Sequence, residues 1–73
     1  MSKYDVDIEG QTYPWDRESI TVPELRGLAG YPPDQQMIEV DLQDNTEVVL
    51  ADDATVALKP GKGFAKKVVF KRG

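Results

Sequence analysis

The sequence contains neither cysteine nor histidine, and these two absences exclude most of the chemistry available to so small a chain. Without cysteine there are no disulfides and no thiolate nucleophile, and without histidine there is no imidazole base. Together the two absences remove nearly every zinc or iron site. We therefore expect a protein that is not an enzyme, that has no metal or cofactor, and whose stability comes from packing alone.

Long apolar runs are also missing. No stretch of about 18 apolar residues is present, and the first residues lack the basic and apolar regions of a signal peptide. With 73 residues, the chain is near the size at which folding buries only about 60% of the surface exposed by the unfolded chain. We expect a single soluble, cytoplasmic domain over residues 1–73, with no membrane partner.

Acidic residues are absent from the last twenty positions. Residues 1–53 hold all thirteen acidic groups against three basic ones, a balance of −10, whereas residues 54–73 hold six basic groups and no acid, a balance of +6. A basic end could bind nucleic acid or an acidic partner. Because the whole chain carries −4, we favour a structural interpretation without a nucleic-acid partner, in which a basic strand pairs with acidic neighbours across a sheet.

The first sixteen residues predict a β-hairpin. Apolar and polar residues alternate over 4–8 and again over 13–15, the period expected of strands with one buried face, and a glycine-centred turn separates them. Pro14 cannot donate a ladder hydrogen bond, so the second strand should lie at a sheet edge. The two aromatic rings of this strand are expected to pack rather than to form a binding surface.

A short helix is predicted next. Thr21 and Glu24 have the spacing of a capping box, and Gly30 ends the apolar stripe formed by Leu25 and Leu28. A helix of about eight residues cannot persist alone, so it must lie on a sheet. Strands over 37–42, 47–50 and 65–70, with a short extended piece over 55–58 and a turn over 59–63, complete the pattern. We expect an α+β fold with a mixed sheet of four to five strands and one short helix across one face.

The last residue is a glycine that follows an apolar strand and two basic residues. Glycine has no Cβ and can thread a narrow enzyme channel. Gly73 is therefore a candidate reactive end, through its carboxylate.

Four parts of the sequence together resemble the bacterial multi-ubiquitin domain family, whose members have the β-grasp fold of ubiquitin. These parts are Ile8-Glu9-Gly10-Gln11-Thr12-Tyr13-Pro14-Trp15-Asp16, Ile20-Thr21-Val22-Pro23-Glu24-Leu25, Leu28-Ala29-Gly30, and Lys59-Pro60-Gly61 with Phe64. The resemblance covers almost the whole chain. It implies a ubiquitin-like domain with residues 71–73 as a C-terminal tail, and a closing strand between the first and third strands of the sheet.

The resemblance also implies a function. The chain would be a protein modifier of a bacterial conjugation pathway linked to antiphage defence, activated at Gly73, passed on as a thioester and joined to a target amine by an isopeptide bond. Arg72 and Lys71 would contact the activating enzyme. The implied partners are activating and conjugating enzymes, a possible deconjugating or processing peptidase, and a target protein.

The implied sheet order makes a further prediction about the face that ubiquitin uses for apolar docking. Here that face should be mostly charged, with Val69 and Met37 as the exposed apolar residues. The expected cross-strand pairs join Lys67 and Lys71 to Asp5 and Asp7 on one side and to Glu39 and Asp41 on the other.

Two other functions are compatible with the residues. A sulfur carrier shares the fold and the terminal glycine but carries a thiocarboxylate, whereas a non-conjugated ubiquitin-fold binding module would not need Gly73. Only the family resemblance favours the modifier over the sulfur carrier.

Overall fold

The structure is a computed structural model and describes residues 3–68 of the chain. These residues contain seven strands and one helix. In chain order the elements are β1 (Tyr4–Ile8), β2 (Gln11–Trp15), β3 (Ser19–Thr21), α1 (Val22–Ala29), β4 (Met37–Asp41), β5 (Glu47–Val49), β6 (Thr55–Ala57) and β7 (Lys62–Lys66). Five strands form one sheet in the order β2-β1-β7-β4-β5, and β3 pairs with β6 in a second ladder. β7 is parallel to β1 and antiparallel to β4, so the predicted β-grasp architecture is confirmed.

The predicted hairpin forms from β1 and β2. Its turn places Glu9 and Gly10 at φ values of 52° and 85°. Positive φ at both central residues is the requirement of a type I′ turn, which glycine meets without steric cost. The Gly10 amide donates to Asp7 Oδ1 over 3.1 Å, which holds the turn. Because β2 lies at the end of the sheet, Pro14 is at an edge as predicted.

The helix begins and ends where the capping signals predict. Thr21 Oγ1 accepts from the Glu24 amide over 3.4 Å, and Glu24 Oε1 accepts from the Thr21 amide over 3.0 Å. Gly30 closes the helix in the left-handed conformation with φ 74°. The hydrogen bonds from Thr21, together with Arg17, lower the pKa of Glu24 below its usual value. The carboxylate therefore stays charged at the positive end of the helix.

A hydrophobic core fills the space between α1 and the sheet. Its buried members are Val6, Ile8, Ile20, Val22, Leu25, Met37, Leu50 and Phe64. Tyr13 and Trp15 are half-buried and pack against this core, as predicted for the two rings. The face of the sheet that meets α1 is called the helix face below, and the opposite face is called the open face.

The ladder of β3 with β6 was not predicted. Residues 55–57 were expected to be extended, but residues 19–21 showed no alternation that would identify a partner strand. Arg26 of α1, which is buried at 8% exposure, joins the helix to the loop before β4 and to the loop between β5 and β6. Arg26 Nε donates to the Gln35 carbonyl over 2.7 Å, and its NH2 group contacts Asp52 Oδ1 at 2.5 Å.

The last strand is displaced toward the N-terminus from its predicted position. β7 spans 62–66 rather than 65–70, so Lys62 and Gly63, which were assigned to a turn, belong to the strand. Phe64 is opposite Ile8, and both are buried. Gly63 is buried under Leu42, whose Cδ2 would lie 3.3 Å from a Cβ at position 63. The burial of Phe64 opposite Ile8 therefore determines which residues form β7. As a result the strand ends at Lys66 and not at the predicted position 70.

Candidate functional site

The chain leaves the sheet at the end of β7, between β4 and the region beyond the β1–β2 hairpin. Lys66 is the last strand residue and lies opposite Met37. One residue further, the Lys67 amide donates to the Gln36 carbonyl over 2.7 Å, and Gln35 Nε2 donates to the Lys67 carbonyl over 3.1 Å. Position 67 is thus fixed to the segment that precedes β4.

Four residues predicted for the site lie outside the described residues 3–68. They are Gly73, predicted for conjugation, Arg72 and Lys71, predicted to contact an activating enzyme, and Val69, predicted for an exposed patch. The structure does show where the last strand ends. Because β7 stops at Lys66, six positions rather than two separate the strand from Gly73.

Met37, the other residue predicted for an exposed patch, is buried, so that prediction is wrong. Its side chain has 0% exposure and belongs to the core. Successive residues of a strand point to opposite faces. Because Met37 points to the helix face, Ile38 and Val40 point to the open face. The apolar residue at position 37 masked the true alternation, because positions 37 and 38 are both apolar and either could have been the inward one.

The open face carries an apolar patch, not the mostly charged surface predicted. The open-face patch consists of Ile38, Val40, Leu42, Val49, Ala65 and Val68. Within this patch, Ile38 is itself buried at 6% exposure. Leu42, Val49 and Val68 are exposed by 51%, 48% and 57%. A shallow depression of about 380 Å³ lies between β4, β5 and the end of β7. Contiguous exposed aliphatic side chains of this kind mark interaction surfaces more often than isolated ones do.

Charged side chains border this patch. Asp5 and Asp7 point to the open face from β1, because their neighbours Val6 and Ile8 are buried on the helix face. Glu47 of β5 and Lys67 line the depression beside Val68. The patch is therefore apolar at its centre and charged at its rim, which is the usual composition of a protein interaction surface.

The predicted charge pairing between the last strand and its acidic neighbours occurs at a different lysine. Lys62 Nζ lies 2.9 Å from Asp41 Oδ2, and the two residues are directly opposite each other in the ladder. Lys67 lies past the end of β7, beside Gln36, so its predicted pairing with acids of β1 and β4 is wrong. The predicted pairing of Lys71 falls outside the described residues.

The ion pair between Asp41 and Lys62 shifts both of its partners. The side-chain hydrogen bond from Lys62, helped by the Gln43 amide, lowers the pKa of Asp41 below its usual value. The same hydrogen bond raises the pKa of Lys62. The amine of Lys62 is thus held protonated, and a protonated amine is not a nucleophile.

Two aromatic residues beside the hairpin have structural contacts. Trp15 Nε1 donates to the Ser19 carbonyl over 2.9 Å, and the Arg17 guanidinium lies 4.8 Å from the Trp15 ring centroid. Tyr31 donates to Glu9 Oε2 over 2.7 Å, and desolvation together with Glu9 raises the pKa of Tyr31 to about 12. Trp15 therefore joins β2 to the start of β3, and Tyr31 joins the loop after α1 to the β1–β2 turn.

Residues 3–68 contain neither a metal-binding cluster nor a membrane-spanning helix. No group of three or more acidic side chains in this part of the chain is placed to hold a metal ion. The described helix is too short to cross a bilayer.

Comparison with known proteins gives one match. A family model described as Multiubiquitin matches residues 4–67 of the chain. No curated protein and no solved structure matches.

Proposed function

Because the chain belongs to the multiubiquitin family, we propose that it is a ubiquitin-like protein modifier of a bacterial conjugation pathway, joined to its target through Gly73. An activating enzyme adenylates the Gly73 carboxylate with ATP and releases diphosphate. An enzyme cysteine then displaces AMP to form a thioester. A target amine finally displaces the thiol, which leaves an amide bond. The chain acts as the transferred group, so it supplies no catalytic residue.

The position at which β7 ends supports this proposal. A donor carboxylate must reach an active site that the folded domain cannot enter, and the reach depends on the chain that follows the last fixed residue. Within residues 3–68, the last residue held by a backbone hydrogen bond is Lys67, whose amide donates to the Gln36 carbonyl. The six residue steps from Lys67 to Gly73 span at most about 20 Å, whereas the three steps from a strand that ended at Phe70, as predicted, would span about 10 Å.

The open-face patch supports a role in recognition within the same pathway. A modifier has to be distinguished from other small domains by a folded surface, and Leu42, Val49 and Val68 offer exposed aliphatic area at a charged rim. The partners proposed are a cytoplasmic activating enzyme and a conjugating enzyme, with a deconjugating or processing peptidase. Lys71 and Arg72 are proposed to guide the carboxylate to the activating enzyme.

The test is formation of the thioester. The chain ending at Gly73 is incubated with ATP and the activating enzyme proposed as its partner, and the product is separated with and without reductant. We expect an adduct of enzyme and modifier that reductant cleaves, and we expect its loss in a variant that lacks Gly73. Thr12→Ala, which changes an exposed side chain of β2 outside the open-face patch and keeps the glycine, is the matched control and should still form the adduct.

A different result would contradict the proposal. Persistence of the thioester in the variant lacking Gly73 would show that another group is the donor, and absence of any thioester from the parent chain would remove the modifier function. The open-face patch favours a second candidate, a non-conjugated binding module. In that case the variant without Gly73 would retain all of its partner binding, and Leu42→Asp would lose it.

A further inference from the structure

The two edges of the five-stranded sheet differ in whether another strand can add to them. β2 forms one edge and contains Pro14, which has no amide proton to donate. β5 forms the other edge and contains no proline, and within residues 3–68 no strand lies outside it. Glu47, Val48 and Val49 are all exposed, the two valines by 53% and 48%. An edge with unpaired backbone groups and exposed β-branched residues is a template for another strand.

The hydrogen bonds between β4 and β5 show which backbone groups of β5 are unpaired. The Leu50 amide donates to the Met37 carbonyl over 2.9 Å, so the backbone groups of position 50 point to β4. Backbone groups of successive residues in an antiparallel strand point in alternate directions. Those of Val48 therefore also point to β4, and those of Glu47 and Val49 point away from the sheet. An added strand is offered two donors and two acceptors.

The chain around β5 is acidic. Positions 43–54 contain no basic residue and four acidic ones, all with exposed side chains: Asp44, Glu47, Asp52 and Asp53. Asp52 has an ion pair with Arg26, and none of the other three has an ion pair among residues 3–68. Hydrogen bonds from the Thr46 side chain and amide lower the pKa of Asp44 below its usual value, which keeps this carboxylate charged at neutral pH. The β5 edge therefore carries negative charge at both of its ends.

We propose that the β5 edge binds an extended segment of a partner protein in which two apolar residues are flanked on both sides by lysine or arginine. The segment adds as a sixth strand and exchanges backbone hydrogen bonds with Glu47 and Val49. Its apolar residues lie opposite Val48 and Val49, and its basic residues lie beside the acids at the two ends of β5. In strand addition, main-chain hydrogen bonds give the affinity and the facing side chains give the specificity.

Charge decides against a second copy of this chain as the occupant. Two antiparallel β5 strands related by a two-fold axis at Val48 would align their outward groups, because Glu47 would lie opposite Val49 of the other copy. The same axis would place the four acids of each copy along one junction, where like charges are destabilising. Basic flanks remove this repulsion, and they distinguish the partner segment from β5 itself.

The expected affinity is low because β5 has only three residues. Such a strand buries much less than the roughly 1,000 Å² of a stable interface, and we expect a dissociation constant of about 0.1–1 mM. The probe is a synthetic peptide, lysine-lysine-isoleucine-valine-lysine-lysine, with acetyl and amide ends. It is titrated into the isotope-labelled full chain at neutral pH, and the amide signals of the chain are followed by NMR.

The pattern of shifted signals tests strand addition itself. The amides of Glu47 and Val49 gain a hydrogen bond from the peptide, so their proton signals should move most. The amide of Val48 already donates toward β4 and should move least of the three. Val49→Pro removes one outward donor and leaves the ladder with β4 intact, so it should weaken binding by about fivefold or more.

A charge reversal tests the specificity. Glu47→Lys should weaken binding of the lysine peptide by about three- to tenfold. The same variant should bind a peptide with glutamates in place of the lysines more tightly than the parent chain does. Glu47 is exposed, so this variant is read even where Val49→Pro does not fold. The matched control is Thr12→Lys on the exposed β2 edge, which should leave peptide binding unchanged, and circular dichroism of each variant checks the fold.

Four results would overturn the proposal. They are no saturable shift at Glu47 and Val49 up to about 5 mM peptide, equal weakening by Glu47→Lys and Thr12→Lys, shifts confined to Leu42 and Ala65 of the open-face patch, and the same shifts appearing without peptide as the chain is concentrated. The last result would assign the edge to a second copy. The titration involves neither Gly73 nor an activating enzyme, so its outcome is independent of the thioester assay.

Discussion

The two faces of the five-stranded sheet carry similar aliphatic side chains, yet only one of them is covered by the helix. On the helix face, Met37 and Phe64 are buried among residues of α1, whereas on the open face Leu42 and Val49 remain about half exposed. The comparison teaches that side-chain hydrophobicity does not reveal which face becomes the core. The face that receives the helix becomes the core, and the other face is left partly exposed.

Of the substitutions that compare the two faces, Met37→Ala is expected to change the free energy of unfolding most. Met37→Ala removes a fully buried side chain and leaves a cavity, and it should lower the free energy of unfolding by about 2–5 kcal/mol. Val49→Ala, on the open face, should change it by less than about 1 kcal/mol because half of that side chain is in water. Urea denaturation of both variants provides the measurement. Equal losses would mean that the faces are assigned wrongly.

A smaller effect is expected where the helix face meets the sheet edge, at Trp15. Trp15→Phe keeps an aromatic ring against the core but removes the donor to the Ser19 carbonyl. The loss of one hydrogen bond should lower the free energy of unfolding by about 1 kcal/mol. Tyr4→Phe, at the position opposite Trp15 on β1, is the matched control and should change it by less than about 0.5 kcal/mol. A larger loss in the control than in Trp15→Phe would argue against this contact.

The smallest effect concerns the ion pair between Asp41 and Lys62. The pKa of Asp41 is lower in the folded state than its ordinary value of 3.8. The ion pair therefore stabilises the fold fully when the pH is above 3.8, and this stabilisation is lost as the pH falls through the folded-state pKa. The pKa of Lys62 is higher in the folded state than its ordinary value of 10.5. On the alkaline side, the stabilisation by the ion pair is therefore fully present when the pH is below 10.5, and it is lost as the pH rises through the folded-state pKa.

The variant Lys62→Met isolates this contribution. The difference in thermal midpoint between the parent and Lys62→Met should be small at pH 7 and should shrink further as pH falls below 3.8 and through the lowered folded-state pKa of Asp41. Lys67→Met, which alters a lysine beyond the end of β7, should show no such dependence. A difference that grows as the solution is acidified would contradict the pairing.

Local signals predicted the N-terminal half of the fold well. The hairpin follows from the alternation on both sides of Gly10, and the helix follows from the reciprocal capping of Thr21 with Glu24 and from Gly30. Each of these features depends on residues within about four positions of one another. Such contacts can be read along the chain without knowledge of distant partners.

The C-terminal half was predicted less accurately because its elements depend on distant contacts. The phase of β4 is set by the burial of Met37 against the helix, and the position of β7 is set by Phe64 opposite Ile8. The exposed residues Leu42, Val49 and Val68 were therefore missed as a site. The sequence did contain a signal, because β4 has an apolar residue at position 37 on one face and at positions 38 and 40 on the other. Periodicity alone does not decide which of these two faces is buried.

The length of α1 explains why charged residues are tolerated on the helix face. A helix of eight residues is about 12 Å long, whereas the five residues of β4 extend for about 17 Å. Glu39 and Asp41 point to the helix side but lie toward the end of the strand, where Glu39 and Lys62 line a depression of about 390 Å³. The partial cover hides Met37 and leaves these acids solvated.

The sequence by itself determined the hairpin turn, both ends of the helix, the exclusion of cysteine and histidine chemistry, and the family, because each depends on residue types and short spacings. Tertiary structure alone decided which face of β4 is buried, where β7 ends and which lysine meets Asp41. These outcomes depend on which distant apolar residues the short helix can cover, and the burial of Phe64 and Met37 outweighs the local pattern of charge.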